Sequence, residues 1–454
     1  MSKVALTNTY QRYPEYKDSE VEWLGEIPSE WSVQNIKSVI KKQYPGIWGD
    51  EELGDKNDIK CLRVADFDFN KLSYHQVKTI RNISQFERNR KIIPDQSILI
   101  EKSGGGEKTP VGRAIHYSEI EPMVCANFID VVLPNNTCSS KYLSYYLFSL
   151  YSSGVNYKAI KQNTGIQNLD TKAYFKEVIP FPSKEEQEKI AKFLDEQTAR
   201  IDETIAKKQR LIELLKEKRT ATINHAVTKG LDPNAEQVDG GIDWIGKIPK
   251  GWKIKRFGFV ADINASNIDK NVVEGQLVRR VCNYVDVYKN DYITNDLNFL
   301  TASATDEQIK KFSVKSEDIF LTKDSETADD IGVPAYVNET LSDVVVGYHI
   351  YQVRVKDQAL LPEFTFRFLQ SKFARVWFEN KARGVTRFGL GSYGVKSLPL
   401  TVPPYEEQEK IAKYLKEHSE VSADAIAKIN FSITKLQEFK SSLISHAVTG
   451  KIKI

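Results

Sequence analysis

EEQEKIAK, the sequence of residues 185–192, recurs letter for letter at residues 406–413. The same offset of 221 positions aligns HAVT at 225–228 with HAVT at 446–449. Repetition at a fixed offset is the sequence signature of a duplicated structural unit. We therefore predict that the chain consists of two copies of one unit, and that both copies end in the same kind of segment.

The beginnings of the two copies also match, whereas their interiors do not. At the same offset, VEWLGEIPSEW (21–31) aligns with IDWIGKIPKGW (242–252), while residues 81–117 have only a faint counterpart in residues 303–337. Drift after an old duplication and specialisation of two interiors for different tasks would both explain this divergence. The near-identity of the ends favours a surface shared with a partner. We expect the tryptophans of the matching segments to be core anchors that fix each domain to its helix: Trp23, Trp31, Trp244 and Trp252.

Each octapeptide lies at the start of a predicted long helix. Residues 183–229 contain no proline or glycine, and their apolar residues lie three, four and seven positions apart, as in an amphipathic helix. The second copy repeats this pattern. Ser183 with Glu186 matches a capping box, in which the two residues satisfy free N–H groups at the start of a helix. Among the repeated residues of the octapeptide, Gln187 and Gln408 are the ones that helix formation explains least.

The two long helices are predicted to pair with each other. Each has an apolar stripe that is too narrow for full burial, and an antiparallel coiled coil would cover both stripes. Roughly 30 to 40 residues at about 1.5 Å per residue would form a rod of about 45 to 60 Å. Gly230 and Gly450 suit the left-handed residue that ends a helix. Because the linker before the second copy aligns with the N-terminal segment, we also expect the end of the chain, near Ile454, to lie close to its start.

The segments outside these helices mix strand and helix patterns. CLRVADFDF (61–69) alternates apolar and polar residues as a strand does, whereas SKYLSYYLFSLYSS (140–153) is helical in character. The predicted fold class is therefore α+β, with two similar domains separated by two long antiparallel helices in a pseudo-twofold internal repeat. The predicted boundaries are a first domain at 1–182, a central helix at 183–230, a second domain at 231–403 and a distal helix at 404–454.

Composition excludes several classes of protein. With 454 residues and 41% hydrophobic content the chain can form two or three domains, each with its own core. No apolar stretch resembles a membrane span or a signal sequence, which predicts a cytoplasmic protein. The net charge of +3 neither demands nor excludes a nucleic-acid partner. Because the four cysteines form no metal-ligand spacing, we predict neither a structural metal nor a disulfide framework: Cys61, Cys125, Cys138 and Cys282.

Sequences similar to catalytic motifs fail at particular residues. VPPYEEQ at 402–408 resembles the N-P-P-Y signature of amino-methyltransferases, but Val402 cannot accept the hydrogens of a target amine. SGGGEKT at 103–109 resembles a phosphate-binding loop, but Glu107 stands where glycine must precede the lysine. Pro94 with its neighbours does not complete a nuclease pattern either. We therefore predict no catalytic residue, no metal and no cofactor in this chain.

Taken together, these repeated motifs resemble the specificity subunit of bacterial and archaeal Type I restriction and modification systems. The likeness covers essentially the whole chain and rests on the W-x-G-x-I-P openings, the E-E-Q-x-K-I-A helix starts, the HAVT helix ends and the duplication. It implies two target-recognition domains, each reading one half of a split site on double-stranded DNA. It also implies that the helices fix the gap between the halves and dock two methyltransferase subunits. S-adenosylmethionine, ATP and magnesium would belong to those subunits and to a restriction subunit, and this chain would be non-catalytic.

Loop residues with hydrogen-bonding side chains are the candidates for contact with DNA, because Arg, Lys, Asn, Gln and Ser can read base edges or bind phosphates. In the first copy they are Arg88, Arg90, Lys91, Lys102, Ser103, Lys108, Asn163, Thr164, Gln167 and Asn168, and in the second they are Lys323, Arg383, Arg387, Ser392 and Tyr393. The predicted partner-binding residues are Glu186, Gln187, Ile190, Glu407, Gln408 and Ile411. Two other interpretations stay open: an enzyme with a degenerate catalytic motif, and a coiled-coil scaffold without a DNA role.

Overall fold

The computed structural model describes residues 10–119, 121–163 and 165–454, with Asn163 described by its backbone alone. The chain divides into two compact units. The first unit comprises residues 1–210 together with 429–454, and the second comprises residues 211–428. The two long helices expected from the repeat are present, and they span Lys184–Lys229 and Tyr405–Val448. Each boundary between the compact units falls inside one of these helices. Each unit therefore contains part of both helices.

Sheets form the centre of the first unit. Its largest sheet is antiparallel, with the strand order Ala114–Tyr117, Ser97–Glu101, Ile129–Pro134 and Ile40–Pro45. A second sheet has the order Val124–Cys125, Asp58–Leu62 and Ile80–Asn82. Four two-stranded ladders pair Tyr16–Asp18 with Glu26–Pro28, Ser32–Asn35 with Val178–Phe181, Phe67–Asp68 with Ser73–Tyr74, and Ile160–Asn163 with Ile166–Leu169. The shorter helices are Gln85–Lys91, Ser140–Ser152 and Thr171–Tyr174.

The second unit repeats this architecture. Its five-stranded sheet has the order Ala261–Ala265, Ile350–Val355, Ile319–Thr322, Pro334–Val337 and Tyr292–Ile293. A four-stranded sheet joins Leu300–Ala304, Leu277–Cys282, Leu341–Val346 and Ser313–Val314, and a three-stranded sheet joins Asp324–Ser325, Phe388–Leu390 and Ala382–Gly384. Two ladders pair Gln237–Asp239 with Lys247–Pro249 and Lys253–Arg256 with Pro399–Val402. Helices occupy Phe257–Val260, Tyr284–Lys289, Asp306–Phe312, Pro362–Leu369, Lys372–Lys381 and Ser392–Lys396.

Matching strands confirm the duplication. The ladder of Ser32–Asn35 with Val178–Phe181 recurs, 221 residues later, as Lys253–Arg256 with Pro399–Val402. The predicted α+β class is also confirmed, since both units combine helices with sheets whose strands pair mainly antiparallel. The boundaries predicted for the globular domains stay a prediction, because the compact units divide the long helices between them.

In the first unit, the two helix segments run antiparallel and share one core with the globular part. Tyr142 donates from its hydroxyl to the carbonyl oxygens of Pro180 and Val448, which brings the start of one helix beside the end of the other. Further along, the Lys440 ammonium lies 2.7 Å from the Asp202 carboxylate. The apolar stripe residues are buried in the same cluster: Ile190, Leu194, Ile201, Leu443, Ile444 and Val448.

The second unit packs its helix segments in the same way. Ile223 and Val227 of the first helix share a core with Ile411 and Leu415 of the second. The Thr401 hydroxyl donates to the Val227 carbonyl oxygen at 2.5 Å, so the last turn of the first helix lies beside the strand that precedes the second. The predicted antiparallel pairing is therefore present inside each unit. The sequence did not predict that the same apolar stripes also pack against the globular part of each unit.

The two ends of the described chain meet within the first unit, as the alignment of the linkers predicted. The backbone N–H of Lys453 donates to the Gln11 carbonyl oxygen at 2.8 Å. Tyr16 donates from its hydroxyl to the Gly450 carbonyl oxygen at 3.0 Å. Within residues 10–119, 121–163 and 165–454, no helix is long and apolar enough to span a bilayer.

Candidate nucleic-acid interface

The repeated glutamine of the first octapeptide is buried and binds its own domain. Gln187 is 0% exposed. Its amide oxygen accepts a hydrogen bond from the Ser139 N–H at 2.8 Å, and its amide nitrogen donates to the carbonyl oxygens of Thr137 and Pro182 at 3.3 and 3.0 Å. Ser139 is the N-cap of the helix Ser140–Ser152. Gln187 therefore joins the start of the long helix to the start of a helix in the globular domain.

The glutamine of the second octapeptide makes the same set of bonds. Gln408 is also 0% exposed, accepts from the Leu361 N–H at 2.8 Å, and donates to the carbonyl oxygens of Ala359 and Pro403 at 2.8 Å each. Leu361 is the N-cap of the helix Pro362–Leu369. A side chain that can accept once and donate twice is needed at this position, and glutamine has that capacity together with the required length.

The glutamate before the glutamine anchors a tryptophan. The Glu186 carboxylate accepts from the Trp31 indole N–H at 3.1 Å and from the Tyr13 hydroxyl at 2.6 Å. Burial and this hydrogen bond to Glu186 both raise the pKa of Tyr13. The predicted cap is present on its serine side, since the Ser183 hydroxyl accepts from the Glu186 N–H at 3.2 Å. The sequence missed that the Glu186 side chain binds the globular domain.

An equivalent tryptophan–glutamate hydrogen bond is present in the second unit. A glycine ends the neighbouring long helix in both units. Trp252 donates from its indole N–H to the Glu407 carboxylate at 2.9 Å. Gly230 and Gly450, the predicted helix stops, have φ angles of 78° and 69°. A Cβ on Gly450 would lie 2.4 Å from the Pro28 ring, so the close approach as well as the left-handed backbone requires glycine there.

The tryptophans differ in how they fulfil the predicted anchor role. Trp31 and Trp252, bonded to the helix glutamates, are 1% and 6% exposed and confirm it. Trp23 is half-buried beside the ring of Tyr146, at a centroid distance of 6.4 Å. For Trp244 the prediction is wrong, because this residue is 37% exposed and its ring lies against other aromatic rings of the second unit, those of Phe373 and Trp377.

The predicted partner-binding residues lie at the starts of the two long helices, and their contact with a partner stays a prediction. Four of these six side chains are 0% exposed and contact their own unit: Gln187, Ile190, Gln408 and Ile411. The other two, Glu186 and Glu407, accept hydrogen bonds from tryptophans. The octapeptide faces the surface instead through residues such as Glu185 and Lys189, whose charged groups lie 2.8 Å apart and whose side chains are 79% and 62% exposed.

Two loops of the first unit bring several predicted DNA-binding residues together. The Lys102 N–H donates to the Phe128 carbonyl oxygen at 2.9 Å, and the Leu169 N–H donates to the Lys102 carbonyl oxygen at 2.8 Å. The Ser103 hydroxyl donates to the Asn168 amide oxygen at 2.6 Å. We call Lys102, Ser103, Phe128 and Asn168 the first loop cluster.

Neighbouring side chains fix the geometry of this cluster. The Lys102 ammonium lies 3.0 Å from the Asp130 carboxylate, which also accepts from the Gln43 amide at 2.7 Å. Gln167, another predicted DNA-binding residue, is only 6% exposed, and its amide oxygen accepts from the Val111 N–H at 3.3 Å. Gln167 therefore supports the loop from inside, whereas Ser103 and Asn168 lie at the surface side.

Three of the predicted basic residues lie on the helix Gln85–Lys91, and backbone oxygens hold two of them. The Arg88 guanidinium donates to the Lys56 carbonyl oxygen at 3.0 Å, and the Lys91 ammonium donates to the Pro45 carbonyl oxygen at 2.7 Å. Their positive charges stay near the surface while their positions are fixed.

The remaining predicted residues of the first unit lie apart from these bonds. Arg90 lies over the ring of its helix neighbour Phe86, 5.4 Å from the centroid. Lys108 is exposed in the glycine-rich loop. Thr164 and the side chain of Asn163 lie outside the described residues.

The second unit repeats the backbone of the first loop cluster with different side chains. The Lys323 N–H donates to the His349 carbonyl oxygen, and the Leu390 N–H donates to the Lys323 carbonyl oxygen, each at 2.8 Å. Asp324 pairs with Gly389, as Ser103 pairs with Asn168 in the first unit. We call Lys323, Asp324, His349 and Gly389 the second loop cluster. Every one of its members lies 221 positions after its counterpart.

Three other predicted residues of the second unit lie on the hairpin and helix that follow. Arg383 donates from its guanidinium to the carbonyl oxygens of Asn380 and Ala382 at 3.2 and 3.1 Å, so it folds back on its own backbone. Ser392 begins the helix Ser392–Lys396, and the adjacent Tyr393 is 77% exposed.

A concave site of about 600 Å³ adjoins the second loop cluster. The stacked rings of Tyr284 and Tyr288 form one wall, with centroids 5.6 Å apart. Tyr288 donates to the Asp330 carboxylate at 2.5 Å, and this bond is the main cause that raises the pKa of Tyr288 to about 12. Arg387 also lines this site. The site therefore combines acceptor carboxylates, aromatic faces and one cation.

Sequence reasoning missed Phe128, Asp324 and His349 as members of the loop clusters. For Asp324 a signal was available, because applying the offset of 221 to the candidate Ser103 gives Asp324. Within the three described ranges, no group of three or more His, Cys, Asp or Glu side chains is placed to hold a metal ion.

Comparison with curated proteins finds specificity subunits of Type I restriction enzymes among the relatives of this chain. The chain is 22% identical over 374 residues to the Type I restriction enzyme EcoKI specificity subunit of Escherichia coli, covering 81% of this chain and 76% of that protein. It is 22% identical over 452 residues to the putative Type I restriction enzyme MjaX specificity subunit of Methanocaldococcus jannaschii, covering 97% of each.

Comparison with solved structures shows the same fold. A chain from a structural study of complex assembly and conformational transition of the type I R-M system superposes with a TM-score of 0.68 at 12% identity, covering 93% of this chain and 98% of that one. The HsdS subunit from Thermoanaerobacter tengcongensis gives a TM-score of 0.50 at 13% identity, covering 94% and 98%. A family profile described as Type I restriction modification DNA specificity domain matches residues 28–214 and again 249–435. The chain belongs to this family of Type I restriction-modification specificity subunits, with one specificity domain in each half.

Proposed function

We propose that this chain selects the DNA sequence for a Type I restriction-modification complex, each loop cluster reading one half of an asymmetric bipartite site. The observation that carries this proposal is that the two clusters share the same backbone bonds but carry unlike side chains. Ser103, Phe128 and Asn168 in the first unit correspond to Asp324, His349 and Gly389 in the second. A constant frame with exchanged donors and acceptors suits two surfaces that bind one polymer but recognise different bases.

Two readers are needed for adequate discrimination. A good bidentate contact to a base contributes about 1 to 3 kcal/mol, and specific DNA binding requires roughly 4 to 10 kcal/mol over non-specific binding. A single cluster of three or four side chains falls at the lower end of that range. Two clusters in one covalent chain add their contributions to the same binding event.

The long helices are proposed to fix the spacer and to dock two methyltransferase subunits. Both helices are continuous, so each is a stiff connection without an internal proline or glycine. The exposed charged face of the octapeptide, with Glu185 and Lys189, recurs in sequence at Glu406 and Lys410. Two equal surfaces suit two copies of one partner.

Catalysis is proposed to reside in the partner subunits. S-adenosylmethionine would be bound by the methyltransferase subunits, and ATP and magnesium by a restriction subunit. The purified chain should then bind no labelled S-adenosylmethionine, whereas the assembled complex should bind it. Binding to the isolated chain at a stoichiometry near one would favour an enzyme instead.

Mapping of methylated adenines in host DNA, with and without this gene, tests the proposal directly. We expect a bipartite motif that disappears with the gene and returns with the wild-type copy. Exchanging residues 61–180 for those of a relative should change one half of the motif and leave the other half and the gap unchanged. Insertion of matched helical turns into both long helices should change only the gap. A methylation pattern that is the same with and without the gene contradicts the proposal.

A further inference from the structure

Arg387 in the second unit occupies the position that Ile166 occupies in the first. Ile166 begins the strand Ile166–Leu169, and Arg387 directly precedes Phe388–Leu390. Leu169 and Leu390, three residues later, make the same backbone bond to the loop clusters. The two side chains therefore leave the backbone at equivalent points, and both are exposed.

The guanidinium of Arg387 is held by a neighbouring histidine. Its Nη2 atom lies 3.2 Å from Nε2 and 3.4 Å from Nδ1 of His349, so the guanidinium rests against the imidazole rather than at one ring nitrogen. The Nδ1 atom of His349 lies 2.5 Å from a carboxylate oxygen of Asp324. The ring of Tyr348 lies 3.7 Å from the imidazole, centroid to centroid. A long exposed arginine is thus held in place before any ligand arrives.

The backbone of His349 is itself in an uncommon conformation. Its φ angle of 69° lies in the left-handed region, which few residues other than glycine adopt. The carbonyl oxygen of His349 accepts the bond from Lys323 that defines the second loop cluster. Such conformations cost free energy and cluster at functional sites, where the surrounding structure maintains them.

We propose that Arg387 reads a guanine in the major groove of the half-site bound by the second unit, with Asp324 and His349 as its positioning residues. The proposal rests on the function proposed above. The planar guanidinium presents two parallel donors that match O6 and N7 of guanine, which is the commonest specific contact in protein–DNA complexes. Preorganisation by the histidine and aspartate reduces the ordering cost of this contact.

At the three equivalent positions the first unit carries different side chains. Ser103, Phe128 and Ile166 stand at the positions of Asp324, His349 and Arg387. None of these three side chains can form a bidentate contact to guanine.

A contact to phosphate would have different consequences. Loss of a phosphate contact weakens binding about equally for all sequences, whereas loss of a base contact relaxes specificity at one base pair. Arg375 provides a matched control in the same unit, because it is also an exposed arginine and donates to the Asp329 carbonyl oxygen at 3.2 Å.

The first experiment uses the wild-type chain assembled with the methyltransferase subunits of its host. Once methylation mapping has given the motif, each guanine of the two half-sites is replaced in turn by 7-deazaguanine, which lacks N7, and binding of the duplex is measured. We expect 7-deazaguanine at one position in the half-site of the second unit to weaken specific binding of the duplex several-fold. If no guanine in that half-site is sensitive to loss of N7, the proposal is overturned, even if no variant folds.

Variants then assign the contact to its residues. Arg387→Ala should lower affinity for the intact motif by about 5- to 150-fold, abolish the effect of the 7-deaza substitution and relax methylation at the same base pair. His349→Asn, which keeps a residue that tolerates positive φ, should relax the same base pair, and Arg375→Ala should leave the motif unchanged. An Arg387→Ala motif that retains its guanine, or that relaxes in the other half-site, refutes the assignment.

A transplant tests sufficiency. Ser103→Asp, Phe128→His and Ile166→Arg, combined in one chain, should add a preference for guanine at one base pair of the first half-site. Failure of this inference is distinguishable from failure of the proposed function. If only this inference fails, the wild-type methylation motif exists but is unchanged by Arg387→Ala. If the proposed function fails, no methylation motif depends on the gene.

Discussion

Replacing Gln187 by leucine should remove three hydrogen bonds while keeping a buried side chain of similar size. The Ser139 N–H would lose its acceptor, and the carbonyl oxygens of Thr137 and Pro182 would lose a donor. A buried donor left unpaired costs about 1 to 3 kcal/mol, and each lost hydrogen bond about 0.5 to 1.5 kcal/mol. We therefore expect Gln187→Leu to lower the free energy of unfolding of the first unit by about 2 to 6 kcal/mol.

Denaturant unfolding combined with hydrogen exchange measures this effect. The Ser139 amide should lose protection in Gln187→Leu, while the Leu361 amide, bonded to the equivalent Gln408, should keep it. Gln209→Leu is the matched control, since Gln209 is an exposed residue of the same helix and its replacement should change stability by no more than about 0.5 kcal/mol. The reasoning is refuted if Gln187→Leu unfolds like the control and Ser139 stays protected.

Two further predictions follow from other contacts. Trp252→Phe removes the indole donor to Glu407 and should destabilise the second unit by about 1.5 to 3 kcal/mol in denaturant unfolding, whereas Trp48→Phe, at a 39% exposed position, should have little effect; equal effects would contradict the anchor. Burial, with a smaller effect of Lys141, lowers the pKa of His116 to about 4, below its value of about 6.5 in the unfolded chain. The folded state favours the neutral imidazole, so below pH 6.5 the unfolded chain takes up a proton at His116 that the folded chain does not. The free energy of unfolding therefore falls as the pH drops from 6.5 toward 4. The difference in unfolding free energy between wild type and His116→Gln should therefore shrink by about 2 kcal/mol from pH 7.5 to pH 5, and a difference that does not change with pH contradicts the shift.

The repeat made much of the fold predictable. The constant offset predicted the duplication and the meeting of the chain ends, while apolar periodicity predicted the two long helices and the mixture of strands and helices. Helix periodicity depends on local sequence, and a duplication relates distant segments without any need for strand order. Both kinds of information are present in a single sequence.

The roles of individual residues were harder to predict, because they depend on contacts between distant segments. Gln187 looked like a residue for a partner, yet its partners are backbone groups of Thr137 and Ser139, about fifty residues earlier. His349 carried no sequence signal, since its backbone angle and its contact with Arg387 exist only after folding. The basic and polar loop residues were chosen by residue type and loop position, and their contact with DNA stays a prediction.

The division of the helices between the units has a consequence for how the protein is made. The first unit is not complete until residues 429–454 exist, because its core contains Leu443, Ile444 and Val448. At roughly 5 to 20 residues per second, a ribosome needs on the order of 10 to 50 s to pass from residue 210 to the end of the chain. The second unit, continuous from 211 to 428, is then the first to have all of its segments. The amino-terminal half must wait with an unfinished core, so the half that is synthesised first is the last that can mature.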